Sequence, residues 1–171
     1  ILVWSSASGI EIVNNIIYGN GSSNDLEAGG IRCMTGSRPI ITNNTIVDNR
    51  AGDYGGGGIK VDQNASPQIY NNIVAFNYAS YGGGGIHAYN TAAVVENNNV
   101  FDNRSGGVNM GNYFGITPSA SNISAEPGLL SISEGDFHLA GTSAGIDAGL
   151  NSAPGIAATD IDGQNRLYNG T

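Results

Sequence analysis

Four residues able to pair with a ligand or move a proton recur at one place in the repeat of this chain. Arg32, Lys60, His87 and Asn109 each follow a Gly-Gly-apolar step: Gly29-Gly30-Ile31, Gly57-Gly58-Ile59, Gly84-Gly85-Ile86 and Gly106-Gly107-Val108. Two positions further on, the same alignment gives Met34, Asp62, Tyr89 and Gly111. If each step opens a β-strand, alternation turns Ile31 and Cys33 inward and Arg32 and Met34 outward. Stacked strands then bring neighbours in a column within about 5 Å. Arg32, Lys60, His87, Asn109, Asp62 and Tyr89 would form a basic and aromatic patch on a chain of net charge −8. Such a patch offers an acidic polysaccharide carboxylate pairing by Arg32 and Lys60, and a stacking surface in Tyr89. The plainer alternative is a solvated strand face carrying ordinary surface charges.

Other groups suggest less. Asp25, Glu27 and Asp53 lie in the turns before the Gly runs, where Asp25 and Asp53 align. With backbone carbonyls they could hold calcium, which takes about six to eight oxygen ligands. Asp160-Ile161-Asp162-Gly163 looks like half a calcium loop without its later ligands, so Asp160 and Asp162 are weaker metal candidates. Asp147 and Asp160 read as turn residues that close the end of the fold. Tyr54 and Tyr81 also align, as a stacked pair in successive turns. His87 and His138 have no cysteine or histidine partner at zinc spacing. The Gly runs do not lead into a helix, so they fail the context of a phosphate loop. Cys33, the single cysteine, falls between apolar strand positions and reads as a small core residue.

What would position these groups is a repeat. Asn doublets stand at Asn14-Asn15, Asn43-Asn44, Asn71-Asn72 and Asn97-Asn98, spaced 29, 28 and 26 residues apart. A second Asn column follows at Asn20, Asn49, Asn77 and Asn103. Ile12, Ile41, Ile69 and Val95 precede the doublets, and Ile17, Ile46, Val74 and Val100 lie between the two Asn columns. Each unit therefore holds three strands too short to bury anything alone. Stacking pairs each with its equivalent in the next unit, so that aliphatic columns fill the interior. Asn tolerates the left-handed backbone of a tight corner, and its amide can bond the next Asn in the column. A stack of helix pairs would need apolar residues at a 3.6-residue period, and a sandwich would not keep this register. The fold class expected is all-β: a parallel β-helix of three short strands per coil over residues 1–121. An irregular C-terminal tail, 122–171, is expected to cap it.

The runs PIITNNTIVDN (39–49) and PQIYNNIVAFN (67–77) resemble the right-handed β-helix repeats of pectate-lyase-like and bacterial surface proteins. The tail runs ISAEP, GDFHL, SAGIDAG and TDIDGQNR resemble the end of secreted bacterial β-helix proteins of the choice-of-anchor Q type. Glu126 stands where that pattern has Asp, and Ala144 where it has Pro. The resemblance implies a right-handed solenoid at the cell surface or outside the cell. Through its lyase members it also implies a specific chemistry, β-elimination at a uronate. Arg32 or Lys60 would be the base and Asp62 a calcium ligand that neutralises the carboxylate. A single Asp makes a poor calcium site, and no carboxylate pair of the kind a hydrolase needs falls on this face.

Composition closes off other classes. Fourteen acidic against six basic residues argue against sequence-independent nucleic-acid binding, and no apolar run approaches a membrane span of roughly 20 residues. No initiator Met is present and the chain opens on a strand-like segment, so missing upstream coils or end-to-end association are expected at that edge. The function expected is a secreted or surface β-helix module that binds polysaccharide or mediates surface contact. It requires no cofactor, with calcium as the one ion to test. The alternatives are a polysaccharide lyase or hydrolase fragment, and a structural rod.

Overall fold

The computed structural model describes residues 1–4, 9–21, 28–107 and 111–166. It is a parallel β-solenoid of about four turns. The first sheet stacks Leu2–Val3, Ile31–Cys33, Ile59–Val61, Ile86–Ala88 and Tyr113–Phe114. The second stacks Glu11–Val13, Ile40–Thr42, Gln68–Tyr70 and Val94–Glu96, and the third Ile16–Tyr18, Thr45–Val47, Ile73–Ala75 and Asn99–Phe101. A fourth sheet, absent from the three-strand expectation, stacks the two-residue strands Arg50–Ala51, Tyr78–Ala79 and Arg104–Ser105. The second Asn column turns the chain there, so the residues beyond it can form a ladder of their own.

The corners divide the work between adjacent residues. Asn14, Asn43, Asn71 and Asn97, the first of each doublet, take left-handed φ values of 54° to 58°. The second Asn of each doublet builds the ladder, buried at Asn44, Asn72 and Asn98 and exposed at Asn15 in the first coil. Asn44 Oδ1 accepts from Asn15, Asn72 Oδ1 from Asn44, Asn98 Oδ1 from Asn72, and Asn122 Oδ1 from Asn98, at 2.9–3.0 Å. A second ladder runs Asn20, Asn49, Asn77, Asn103, Asn112. Here Gly19, Asp48, Phe76 and Asp102 take the left-handed position, with φ of 64°, 50°, 59° and 41°. The interior holds the aliphatic columns read from sequence, with Ile41, Ile69, Ile46, Val74, Ile31, Ile59 and Ile86 fully buried. Each such side chain contributes roughly 1.5–3 kcal/mol of burial.

Two parts of the chain depart from the sequence reading. The first is the register of the last coil. Tyr113 pairs with Ile86 and Phe114 with His87, whereas the Gly-Gly alignment assigns those places to Val108 and Asn109. Gly111 accordingly sits two residues before the strand, its carbonyl accepting from Gly85 N. Asn109 itself lies outside the described residues. The second is the cap. Residues 111–126 form a partial fifth coil that continues both Asn ladders and packs Tyr113 and Ile116 against the core. They cover the C-terminal end, and Asn122 belongs to the coil register.

The rest of the tail does something else. It forms an antiparallel hairpin, Leu129–Ser131 with Asp136–Leu139, and then runs back along the doublet corner. Asn71 exchanges two hydrogen bonds with the Leu150 backbone, Thr42 Oγ1 donates to Pro154 O, and Asn14 Nδ2 donates to Thr159 O. The tail thus straps the third, second and first coils in turn. Left-handed Asn side chains point away from the core, and each can bond an extended strand laid across them.

Candidate functional site

The outward face of the first sheet carries the predicted patch. Arg32 pairs with Lys60 and Lys60 with His87 along the ladder, as the alternation requires. One residue past the next inward position stand Met34, Asp62 and Tyr89, and the register of Val3 on Cys33 adds Trp4 to that column. Asp62 is the centre of the site. Its Oδ2 lies 3.0 Å from Arg32 Nη2 and 3.1 Å from Arg32 Nε, and its Oδ1 lies 3.8 Å from Lys60 Nζ. The Asp62 and Lys60 side chains are only 14% and 11% exposed, so this is a part-buried ion cluster. It is not the freely solvated basic stripe that composition suggests.

The flanks are apolar and open. Tyr89 and Trp4 are 66% and 65% exposed, three coil spacings apart, which is about 14 Å at about 4.8 Å each. Phe114 takes the register position expected for Asn109 and meets the His87 ring edge-on at 4.9 Å between centroids. Tyr54 and Tyr81, in the turns before the strands, approach edge to face at 6.4 Å. Trp4 was not legible in the sequence because no Gly-Gly step precedes Leu2 to align it. Phe114 was hidden by the register change after Gly107.

Chemistry on this face is set by fixed charges. The Asp62 contacts hold the Arg32 guanidinium in place, and the two outward columns carry Asp62 as their one carboxylate among the described residues. A hydrolytic carboxylate pair is therefore not assembled there. Among the described residues no group of three or more His, Cys, Asp or Glu side chains is placed to hold a metal. Asp53 stands in an exposed turn, and its expected neighbours Asp25 and Glu27 lie outside the described residues. Asp160 Oδ1 accepts from the backbone of Asp162 and Gln164 at 3.0 and 2.8 Å, and Asp162 Oδ2 bonds His138 Nε2 at 2.9 Å. Asp160 is thus a turn residue, on the side of the solenoid and not at its end. Cys33 is fully buried, and burial pushes its thiol up to about 12, which makes it a core residue and a poor nucleophile.

The two histidines are placed oppositely. Burial holds His87 below its usual value, although its Nδ1 lies 3.3 Å from Gly55 O, a carbonyl that can only accept. His138 is raised by hydrogen bonds to Asp136 at 2.6 Å and Asp162 at 2.9 Å. Histidine-selective NMR titration is therefore expected to give one midpoint below and one above about 6.5, assigned with His138→Gln. The linkage signs differ. Below the ordinary value the unfolded chain protonates while buried His87 resists, so stability falls as pH drops toward the lowered midpoint. The His138 clamp is fully formed at low pH and is lost as pH rises through the raised midpoint. Midpoints in the reverse order would contradict both placements.

No curated protein and no solved structure matches the chain. Residues 1–124 match the family model described as the right handed beta helix region, and with its parallel sheets stacked coil on coil the chain belongs to the right-handed β-helix family.

Proposed function

We propose that this protein is a surface or secreted β-helix module that binds polysaccharide on the outward face of its first sheet. The observation that carries the reading is the ion cluster Arg32–Asp62–Lys60, bracketed along one column by the exposed rings of Trp4 and Tyr89. Rings stack on the C–H faces of sugars, and a planar guanidinium presents several donors in fixed directions. A chain of sugar units laid along the solenoid axis meets both. The tail runs GDFHL and TDIDGQNR support a bacterial extracellular setting through their resemblance to choice-of-anchor Q proteins. Among the described residues no helix is long and apolar enough to cross a membrane.

Affinity electrophoresis through gels containing uronate-rich or neutral polysaccharides tests the reading. Retardation is expected, reduced roughly three- to tenfold in affinity by Tyr89→Ala, which removes an exposed ring. The pair Arg32→Ala and Lys60→Ala is expected to abolish it. Clearing of the gel around the band would establish an enzyme instead, and unchanged mobility in every gel would favour a structural rod.

A further inference from the structure

The fourth sheet carries a patterned surface that the first-sheet site does not use. Its outward column stacks Arg50, Tyr78 and Arg104, paired in register along the ladder. The corner just before it stacks Asp48, Phe76 and Asp102, each two residues ahead of a member of that column. In the first coil both places are glycine, Gly19 and Gly21. One shallow groove is lined from both columns, by Arg50, Tyr78 and Arg104 and by Phe76 and Asp102, with no residue from the tail. The two columns therefore form one open surface.

Packing within the chain leaves two features of this surface unexplained. Phe76 holds a left-handed φ of 59° at a corner where the other coils place Gly19, Asp48 and Asp102. That backbone costs a bulky residue about 1–2 kcal/mol, which Gly avoids and Asp reduces. The edge-on contact of Phe76 with Phe101 at 5.9 Å offsets only part of this, and the Phe76 ring stays half-exposed. The second feature is unpaired charge. Among the described residues neither Asp48 nor exposed Arg50 forms an ion pair, and the Arg50 guanidinium carbon lies 6.0 Å from the Tyr78 ring centroid. Arg104 bonds Asp102 at 2.9 Å, yet their side chains remain 74% and 39% exposed.

We infer that this face docks a second copy of the chain, side by side and with the two solenoids parallel. The charge pattern selects both the partner and the direction. A two-fold axis running along the solenoid between the columns lays each column on the other column of the second copy. Asp48 then meets Arg50 of the second copy, Phe76 meets its Tyr78, and Asp102 meets its Arg104, each contact made twice by symmetry. A two-fold axis across the solenoid would instead set Arg50 on Arg104 and Asp48 on Asp102, like charge on like charge. Copies of net charge −8 repel at long range, but two cations and two anions leave this face locally neutral. Two columns over three coils, about 4.8 Å apart, make a small interface, so the dimer is weak and concentration-dependent. It does not rest on the polysaccharide reading of the first sheet.

Sedimentation velocity on the whole chain, from about 10 µM to about 1 mM, tests this, because a small interface gives a Kd of that order. A monomer–dimer equilibrium is expected. Arg50→Glu with Arg104→Glu makes the face wholly acidic, and Asp48→Lys with Asp102→Lys makes it wholly basic. Each of these variants alone is expected to stay monomeric. Mixed one to one, they are expected to associate about tenfold more tightly than the unaltered chain does with itself, a rescue that misfolded variants would not give. Phe76→Asp installs the residue that the neighbouring coils carry at this corner. It is expected to weaken dimerisation about tenfold while melting stays cooperative. The inference is overturned if the chain sediments as a monomer at about 1 mM, if either charge variant dimerises like the unaltered chain, or if the mixture stays monomeric. Assembly beyond the dimer would also overturn it, because a two-fold contact closes at two copies.

Discussion

Replacing Asn72 by Ala should destabilise the protein by about 3–5 kcal/mol, while replacing its neighbour Asn71 by Gly should cost only about 1–2 kcal/mol. The two residues form one doublet and differ by one place in the chain. Asn72 is 1% exposed, and its amide nitrogen lies 2.8–2.9 Å from Tyr70 O, Ile41 O and Asn98 Oδ1. Its Oδ1 accepts from both the backbone and the side chain of Asn44 at 2.9 Å. Truncation leaves buried donors and acceptors in two coils unmatched, each at about 1–3 kcal/mol. Asn71 needs its left-handed φ of 54°, which Gly keeps, and it loses only the two bonds to Leu150 in the tail. Urea denaturation with a common m value reads the difference. A cost for Asn72→Ala below about 1 kcal/mol would mean that the ladder is dispensable. Against a typical total of about 5–15 kcal/mol, the expected loss is large enough to lower the amount of folded protein recovered.

The second large effect belongs to a glycine with an ordinary negative-φ backbone. Gly57→Ala should cost about 3 kcal/mol or more, at or above the usual limit for overpacking. A Cβ at this position would lie 2.4 Å from Gly84 O, 2.5 Å from Tyr78 O and 2.7 Å from Tyr78 N. All three are backbone atoms of the next coil, so no side chain can rotate away. Relief requires the coils to separate where Gly57 N donates to Gly83 O and Gly58 N to Gly84 O. Gly141→Ala is the control, because nothing lies within 4 Å of its Cβ, and it should shift stability by no more than about 0.5–1 kcal/mol. Comparable melting curves for the two variants would show that the coils can part cheaply at the Gly runs. The close approach also explains why the runs suit the site. They bring successive first-sheet strands into tight register, which sets the spacing of Arg32, Lys60 and His87.

The repeat itself determined the greater part of this protein. A period of 26 to 29 residues with fixed Asn, aliphatic and Gly landmarks specifies stacked parallel strands, because each residue type has one physical use in a corner, a core column or a close approach. That reasoning placed Arg32, Lys60, His87, Asp62 and Tyr89 on one face, where the structure has them. It failed where the landmarks lapse. The strand that pairs with His87 begins five residues later than the last Gly-Gly step implies, so Phe114 stands in the place expected for Asn109.

What only the tertiary structure decided is how the charges meet and where the tail goes. Alignment stacks Arg32 and Lys60 on one column and Asp62 on the next, but it cannot tell a solvated stripe from the part-buried cluster that side-chain length and local burial produce. The tail has no repeat and makes its bonds across up to 152 residues of sequence, from Arg166 to Asn14. Such a path depends on outward polar side chains in three different coils, Asn71, Thr42 and Asn14, which become one surface only after the coils have stacked.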